Sequence, residues 1–271
     1  MKWSVPKMWE SGTAFIIGGG PSLEGMDWDP FHDHRIIGCN DAYLLGPWVD
    51  VCCFGDVEWH RAHDYKWVHL PEEVRIPDCV AKHNGTKFAG LRQYSGIKVT
   101  NCHSQFDESR RDVLQLNRYE RGLSDDPAWL GWNCNTGAAA INLALLFGCK
   151  RVVLLGFDMA ARPIADERER EEERIIHERV HDGSERQMLQ QRIDWSRQNG
   201  HGDPRDFKAN WHPNIKNHCN PSHYDKFIDN FKFVERDLPK KFPEAEILNA
   251  TPGSRLETFP MVSLEEVLNE G

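Results

Sequence analysis

A short apolar run near the start of the chain ends in three consecutive glycines. Residues 15–17 are Phe-Ile-Ile, and they lead directly into Gly18-Gly19-Gly20-Pro21-Ser22. A continuous apolar run of this kind is typical of a strand buried on both faces of a parallel sheet. A glycine turn after such a strand leaves backbone N–H groups that a phosphate can approach without meeting a Cβ atom. We therefore predict a phosphate-binding strand end here. The alternative is that the glycines only turn the chain.

Similar runs follow, and polar residues stand where they end. The predicted buried strands cover residues 14–17, 35–39, 49–54 and 98–101, with a weaker candidate at Val80. Ser22, Asn40 and Asp56 follow the first three of them. Open α/β sheets bind ligands at the edge formed by the carboxyl ends of their strands, so we expect these three side chains at one binding edge. An alternative for Asn40 is that it only satisfies a turn.

The clearest unit of the chain is a helix followed by a strand. Asn135-Thr136-Gly137 precedes a stretch, 138–147, that is apolar almost all round, and Gly148 stands where a helix commonly ends. The next buried strand, 152–158, ends in Asp158. A buried helix leading into a buried strand is half of a βαβ unit. Together these patterns predict an α/β, Rossmann-like fold, with a mostly parallel sheet and helices on both of its faces.

The composition changes sharply after this unit. Residues 162–174 form a run of charges, and Ser184-Glu185-Arg186-Gln187 has the pattern of a helix start. We predict a charged helical insertion. It is either a solvated, salt-bridged element or a lid whose arginines reach a phosphate or a carboxylate.

The last part of the chain is predicted to return to the core. A helix is expected from Ser222, broken by Pro239 and Pro243, and a strand at 245–249. The predicted domains are a nucleotide-binding core (1–159), the lid insertion on the acceptor side (160–220), and a C-terminal helix and strand that complete the core (221–271).

The composition as a whole argues against some classes of protein. The 271 residues carry a formal net charge of -9. This argues against a general duplex-DNA binder, because phosphate neutralisation supplies most of the nonspecific affinity for DNA. The first ten residues contain no apolar signal-peptide core, and no apolar run is long enough to span a bilayer. We therefore expect a soluble, cytoplasmic protein.

The cysteines and histidines do not form a recognisable metal motif. The chain has eight cysteines and no CxxC pair, and the adjacent cysteines at 52–53 lie in an apolar run, as buried thiols of a reducing compartment would. His212, His218, Cys219 and His223 are close in sequence, but their spacing matches no zinc pattern. No metal site is predicted.

In their order along the chain, these motifs resemble one known group of proteins. The chain resembles the Rossmann-type bacterial sialyltransferases that act on lipo-oligosaccharide, and the related MptE-like 6-hydroxymethylpterin diphosphokinases. The matching segments are Gly18-Gly19-Gly20-Pro21-Ser22-Leu23, Cys39-Asn40, Thr136-Gly137, Leu154-Leu155-Gly156-Phe157-Asp158 and Ser222-His223-Tyr224. The arginine-rich insertion has no counterpart. The resemblance implies a glycosyltransferase that moves a sugar from a nucleotide-sugar donor (CMP-, UDP- or GDP-linked) to a hydroxyl acceptor.

The resemblance also implies how the donor is held. Backbone N–H groups around Gly19, Gly20 and Ser22 would bind a nucleotide phosphate, and Asn40 would bind the ribose or the base. The segment Thr136-Gly137, at the positive end of a buried helix, would face the leaving phosphate, where negative charge grows in the transition state. Asp158 and Asp56 complete the expected nucleotide site. The alternative for Asp158 is a purely structural acceptor or helix cap.

His223 matches the general base of the family. An imidazole titrates near neutral pH, so it is suited to take the proton from an acceptor hydroxyl that attacks the anomeric carbon in line and inverts its configuration. The alternative is an ordinary surface histidine, with His218 as the competing candidate. Tyr224 is a further candidate for contact with the phosphate or the acceptor. Trp129 and Trp132, just before the buried helix, are candidates to stack on a sugar or a base.

The chain departs from the sialyltransferases after its Gly-Phe-Asp segment. Met159 and Ala160 stand where those enzymes carry tyrosines that donate hydroxyls to the leaving phosphate. We expect arginines of the insertion to supply the charge instead, with Arg162, Arg168 and Arg170 as the candidates. This substitution would suit a nucleoside diphosphate leaving group.

Other functions stay open at this point. A diphosphokinase would move pyrophosphate from ATP and need Mg²⁺, for which Asp56 and Asp158, at neighbouring strand ends, are the candidate ligands. The sugar transferase is not expected to need Mg²⁺. A nucleotide-binding module without turnover is a third possibility, and an NAD oxidoreductase is disfavoured because Leu23 occupies the place of the third fingerprint glycine. The acceptor could be a glycan, a lipid-linked sugar, a small metabolite or a hydroxymethylated DNA base.

Overall fold

In a computed structural model of the protein, the central feature is a seven-stranded sheet whose neighbouring strands are all parallel. The structure describes residues 3–64, 68–69, 82–83, 87–88, 90–102, 112–179, 183–198, 200, 203–208, 210 and 222–269. Helices pack on both faces of this sheet, so the predicted α/β, Rossmann-like fold is confirmed. The weaker strand candidate at Val80 lies outside the described residues.

The elements are numbered in chain order. The strands are β1 (Thr13–Ile17), β2 (Arg35–Cys39), β3 (Val51–Phe54), β4 (Val68–His69), β5 (Lys82–His83), β6 (Lys87–Phe88), β7 (Ile97–Thr100), β8 (Val113–Gln115), β9 (Asn117–Tyr119), β10 (Trp129–Gly131), β11 (Arg151–Leu155), β12 (Arg162–Pro163), β13 (Phe207–Lys208) and β14 (Glu246–Asn249). The α-helices are α1 (Val57–Asp64), α2 (Thr136–Phe147), α3 (Glu167–Arg179), α4 (Gly183–Gln198), α5 (Ser222–Lys241) and α6 (Leu264–Asn269). Short 3-10 turns cover Pro21–Leu23, Asp29–Phe31, Asn40–Leu45 and Pro204–Asp206.

The order of the strands across the main sheet is β14-β11-β1-β2-β3-β7-β8. From β1 the chain builds outward to β8, and it then returns to place β11 on the other side of β1. The chain therefore leaves the carboxyl ends of β1 and β11 in opposite directions. In open α/β sheets a crevice that binds ligands forms at such a switch point.

Each central strand contributes side chains to two cores. In β1, Ala14 and Ile16 join the cluster that contains α2, whereas Phe15 and Ile17 join the cluster on the opposite face. All four side chains are at most 1% exposed. Continuous apolar sequence is required here because neither face of the strand meets water.

Helix α2 is buried along almost its entire length, as its sequence predicts. Gly148 ends it in the left-handed conformation, with φ 100. The polar Asn142 is also buried. Its Oδ1 accepts from the amides of Ser124 (2.9 Å) and Gly131 (2.7 Å), and its Nδ2 donates to the Ser124 carbonyl (2.8 Å). The helix thereby holds the loop and strand that precede it.

Helix α5 runs past the proline that was expected to break it. Pro239 lies within the helix, which ends at Lys241. A proline removes one N–H donor, and near the last turn this affects only the end of the hydrogen-bond ladder. The helix stops before Phe242 because a residue that precedes a proline, here Pro243, disfavours the helical conformation. Strand β14 then pairs with β11 and adds an edge strand to the main sheet.

The segment between β11 and α5 carries α3, α4 and a short ribbon in which β12 pairs with β13 in antiparallel register. How the chain divides into domains at 160 and 221 stays a prediction. Within the described ranges, none of the helices is both long enough and apolar enough to cross a bilayer.

Candidate functional site

The glycine turn after β1 is hydrogen-bonded to the end of β11. The Gly18 amide donates to the Leu155 carbonyl at 2.7 Å, and the Gly20 amide donates to the Gly156 carbonyl at 2.9 Å. The Gly19 amide has no hydrogen-bond partner among the described residues. Of the turn's donors, Gly19 is therefore the one that this arrangement leaves open to a ligand.

Asp158 anchors the residues that follow the glycines. The Ser22 amide donates to Oδ1 of Asp158 at 2.9 Å, and the Ser22 hydroxyl donates to Oδ2 at 2.8 Å. Burial raises the pKa of Asp158 above its ordinary value, although the hydrogen bonds from Ser22 lower it in part. A Cβ atom on Gly20 would collide with Oδ2 of Asp158 and lie 2.6 Å from the Gly156 carbonyl oxygen. Asp158 is thus a structural acceptor, and Gly20 leaves room for it.

Asn40 stands at the carboxyl end of β2, the neighbour of β1. Its backbone is left-handed, with φ 50, and such strain in a residue other than glycine clusters at ligand sites. Its side-chain Oδ1 is buried and has no hydrogen-bond partner among the described residues. A buried acceptor without a partner is rare in folded proteins. Both features favour a ligand contact for Asn40 over a residue that only satisfies a turn.

Asp56 lies on a different part of the edge from Asp158. Its carboxylate accepts from the Trp59 amide at 3.4 Å, as a cap of α1 does. Because β1 and β2 separate β3 from β11, the expectation that Asp56 and Asp158 end neighbouring strands is wrong. Three strand spacings are about 14 Å, too far for both carboxylates to bind one Mg²⁺ at about 2 Å. In the described ranges, no group of three or more His, Cys, Asp or Glu side chains could hold a metal ion.

The N-terminus of α2 is capped by Asn135. Its Oδ1 accepts from the amides of Gly137 (2.7 Å) and Ala138 (3.3 Å). A Cβ atom on Gly137 would collide with the ring of Phe157, so glycine at this position lets the helix pack against the segment after β11. The Gly137 amide is therefore used within the protein. Thr136, the first residue of the helix and half-buried, remains the phosphate candidate at this helix end.

Two of the candidate arginines of the insertion pair with carboxylates on their own helix. Arg168 is 78% exposed and lies 3.3 Å from Glu172. Arg170 lies 2.9 Å from Glu167 and donates to the Ile164 carbonyl at 2.7 Å. Pairs of this kind on exposed helix faces contribute little to stability. Arg168 is thus a solvated, salt-bridged residue, whereas Arg170 is half-buried and its Nε atom also lies 3.8 Å from Oδ1 of Asp206.

The third candidate, Arg162, belongs to a cluster of four charges that we call the ionic cluster: Glu24, Arg162, Glu169 and Lys208. Arg162 Nη2 lies 2.6 Å from Glu24 and 2.7 Å from Glu169. Lys208 Nζ lies 2.8 Å from each of the same two carboxylates. Glu24 follows the glycine turn and the other three residues belong to the insertion. The ionic cluster therefore joins the insertion to the edge of the site, and the charge of Arg162 is already balanced.

Arg255 ties the first turn of α5 to the end of β11. Its amide donates to the Asp158 carbonyl at 3.0 Å, and its guanidinium donates to the Met159 carbonyl at 3.3 Å and to the Asp225 carboxylate at 2.7 Å. His223 lies two residues before Asp225, in the first turn of α5. The side chain of His223 lies outside the described part of the structure.

Other residues singled out in the sequence have simpler positions. Tyr224 is only 8% exposed and packs within the fold. Trp129 is 41% exposed, whereas Trp132 packs beneath the guanidinium of Arg118. Sequence reasoning missed both Arg118 and Arg255, because neither is part of a motif. The residues His212, His218 and Cys219 lie outside the described ranges.

No protein-family model matches the chain, and no curated protein matches it. Among solved structures, the chain is similar to the MAf glycosyltransferase from Magnetospirillum magneticum AMB-1, with a TM-score of 0.48 and 15% sequence identity over 97% of this chain. The match covers 36% of that protein, so the present chain spans about a third of its length.

Proposed function

We propose that the chain is a glycosyltransferase that binds a nucleotide-sugar donor at the carboxyl edge of the sheet and transfers the sugar to a hydroxyl acceptor. The observation that carries the proposal is the state of Asn40. A strained asparagine with a buried, unpartnered acceptor stands one strand away from a glycine turn, at the switch point of an open α/β sheet. Sheets of this kind hold nucleotides at that point.

The donor phosphate is proposed to lie between the glycine turn and α2. The open amide of Gly19 and the N-terminus of α2, at Thr136, both favour negative charge in this position. Asn40 is the proposed partner of the ribose or the base, since its Oδ1 accepts from a hydroxyl or an exocyclic amine. Asp158 is compatible with a nearby phosphate, because it is held by Ser22 and its raised pKa reflects a weaker tendency to carry charge.

His223 is the proposed general base. Support comes from the Arg255 bridge, which holds the first turn of α5 beside the end of β11. In the proposed step, the acceptor hydroxyl attacks the anomeric carbon of the donor while the bond from that carbon to the phosphate oxygen breaks. The proton of the hydroxyl passes to the imidazole, and the nucleotide leaves with the electron pair. The configuration at the anomeric carbon is inverted.

The test is a mass-spectrometric screen of donor breakdown by the wild-type chain. The panel holds CMP-, UDP- and GDP-linked sugars and ATP, each with and without EDTA. We expect slow hydrolysis of one sugar nucleotide, because transferases commonly pass the sugar to water when no acceptor is present. This hydrolysis should continue in the presence of EDTA. Consumption of ATP alone, and only with Mg²⁺, would replace the proposal with a diphosphokinase. No breakdown of any donor would leave a binding module.

The role of the base is tested with His223→Ala and a matched control, His218→Ala. Once an acceptor is found, His223→Ala should lower the transfer rate by about 10²–10⁴-fold, the range for removal of a general base, with donor affinity unchanged. The control should transfer like the wild type. Equal rates in the two variants would remove His223 from the mechanism.

A further inference from the structure

Arg118 is held at the sheet edge by the ends of two strands. This half-buried residue lies in β9, and its Nε donates to the Asn101 carbonyl at 3.1 Å, just past the end of β7. Its Nη2 makes a longer contact of 3.5 Å with the Gly55 carbonyl, just past the end of β3. Since β3 and β7 are neighbours, the guanidinium bridges the carboxyl ends of adjacent strands.

An aromatic ring fixes the guanidinium from one side. The Cζ atom of Arg118 lies 4.5 Å from the centroid of the Trp132 ring. Trp132 in turn packs against Gly55, where any Cβ atom would collide with the ring. The Trp132 amide donates to the Tyr119 carbonyl at 2.7 Å, which holds the backbone of that tryptophan to β9. The position of the Arg118 guanidinium is therefore set before any ligand arrives.

The charge of Arg118 has no carboxylate partner among the described residues. This sets it apart from Arg162 and Arg255, each of which lies within 2.7 Å of a carboxylate. A guanidinium has five N–H donors, and the described contacts of Arg118 use two of them. The remaining donors form a fork of the kind that matches a carboxylate or a phosphate.

The residue whose carbonyl accepts from Arg118 also has an unpartnered side-chain acceptor. Asn101 is 1% exposed, its Nδ2 makes a long 3.5 Å contact with the Leu130 carbonyl, and its buried Oδ1 has no hydrogen-bond partner among the described residues. Buried polar atoms nearly always have a partner, so such an atom marks a place that a ligand or water completes. Asp56, which follows β3 on the same part of the edge, is exposed and caps α1.

We propose that Arg118, with Trp132 and Asn101, forms a second anion-binding subsite of the sheet edge. It takes a carboxylate or a phosphate group, and Asn101 Oδ1 accepts from a hydroxyl or N–H group beside that anion. The glycine turn follows β1, two strands from β3 and three from β7, so the subsite lies about 10–14 Å from it. A ligand that occupies both places carries an acidic group at that distance from its nucleotide phosphate. The subsite does not depend on sugar transfer.

The test follows anion binding at Trp132 directly. The protein is labelled with 5-fluorotryptophan, the resonance of Trp132 is assigned with Trp132→Phe, and sodium sulfate or sodium acetate is added against sodium chloride at equal ionic strength. In the wild type we expect a saturable shift of this resonance with sulfate or acetate and none with chloride. The tighter of the two probes tells whether the subsite favours a phosphate-like or a carboxylate anion.

The matched variants are Arg118→Gln and Arg121→Gln, which remove the same charge three residues apart. Arg121 is exposed and stacks on Phe233 with its Cζ 5.5 Å from the ring centroid. Arg118→Gln should weaken anion binding by about tenfold or more, the loss expected when a charge-assisted hydrogen bond is removed. Arg121→Gln should bind like the wild type.

Two results would overturn the proposal: no saturable shift in the wild type, or equal weakening in both variants. If Arg118→Gln does not fold, Arg118→Lys replaces it. An ammonium keeps the charge without the fork, so weaker binding is expected, and binding as tight as in the wild type refutes the fork. Because no donor enters this experiment, its failure is distinct from failure of the proposed transferase.

Discussion

Gly20→Ala tests whether the glycine turn and the end of β11 form one unit. The backbone of Gly20 has φ -64 and ψ 149, which alanine adopts without strain. The new Cβ atom, however, would collide with Oδ2 of Asp158 and lie 2.6 Å from the Gly156 carbonyl oxygen. The carboxylate must move away, and both of its hydrogen bonds with Ser22 are then lost.

The size of the effect follows from those two bonds. A hydrogen bond to a charged group contributes about 1.5–3 kcal/mol, and Asp158 is half-buried, so we take the lower end. Two bonds then give a loss of about 3 kcal/mol in the free energy of unfolding. For a chain of this size, each kcal/mol lowers the melting temperature by about 2–4 °C, so a fall of roughly 6–12 °C is expected.

The assay is thermal and urea unfolding followed by circular dichroism. The control is Gly25→Ala, in the same turn region, where φ is +74 and nothing lies within 4 Å of a new Cβ. That variant should cost about 1–2 kcal/mol, from the left-handed backbone alone. In an Asp158→Ala background, Gly20→Ala should cost less than in the wild type, because the carboxylate is gone. A cost for Gly20→Ala that is no larger than that of Gly25→Ala would refute the reasoning.

Three further predictions concern neighbouring groups. Asp158→Asn should leave the free energy of unfolding at pH 7 unchanged or raise it. Because burial raises the pKa of Asp158, the protonated carboxyl stabilises the fold at low pH, and this contribution is lost as the pH rises through that pKa. Urea unfolding at pH 3.5 and 7 measures this, and a larger loss at pH 7 would contradict it. Asn40→Gly should raise the melting temperature, because glycine relieves the strain of the left-handed backbone. The same variant should bind nucleotide more weakly in calorimetry, and a variant that binds as tightly as the wild type would rule out the ligand contact. Burial alone would raise the pKa of Glu24, but hydrogen bonds from Lys208 and Arg162 outweigh it and hold the pKa below its ordinary value of 4.5. The ionic cluster therefore stabilises the fold above that pH, and this stabilisation is lost as the pH falls through the lowered pKa. Glu24→Gln should speed limited proteolysis of the insertion at pH 7, and its effect should shrink as the pH falls through that pKa. Equal proteolysis rates for the variant and the wild type at pH 7 would argue against a holding role.

The strands and the buried helix could be predicted because their signals are local. The apolar residues of β1 are flanked by a glycine turn, and α2 has its own cap at Asn135 and its own stop at Gly148. Such patterns need no knowledge of the rest of the chain. Predicted and observed strand ends differ by at most three residues: the strand expected at 35–39 is found there, the strand expected at 49–54 begins at Val51, and the strand expected at 152–158 ends at Leu155.

The candidate site was predictable only in part. The sequence placed Gly19 and Asn40 at strand ends, but which amides of the turn stay open depends on the partners that β11 provides. The separation of Asp56 from Asp158 follows from the strand order, which puts β1 and β2 between them. Local patterns do not contain that order.

Arg118 and Arg255 could not be found from the sequence, because each acts through contacts with distant segments. Arg118 reaches a carbonyl 63 residues away, at Gly55. Arg255 contacts the Met159 carbonyl, 96 residues away. The arginines of the insertion are recognisable in the sequence because they lie in a dense run of charges. In a helix, such a run places carboxylates three or four residues from each arginine, where they become its partners.

The late position of β11 in the chain has a consequence for synthesis. Strand β1 is made first, but its second neighbour, β11, is complete only when residue 155 has left the ribosome. Until then, β1 is an apolar edge strand of the partial sheet, and the backbone groups on its outer side are unpaired. Edges of this kind can pair with other nascent chains. We expect translation to be the stage at which this protein most needs a chaperone. Mutations that weaken β11 should lower the yield of soluble protein even where the properties of the folded protein are unchanged.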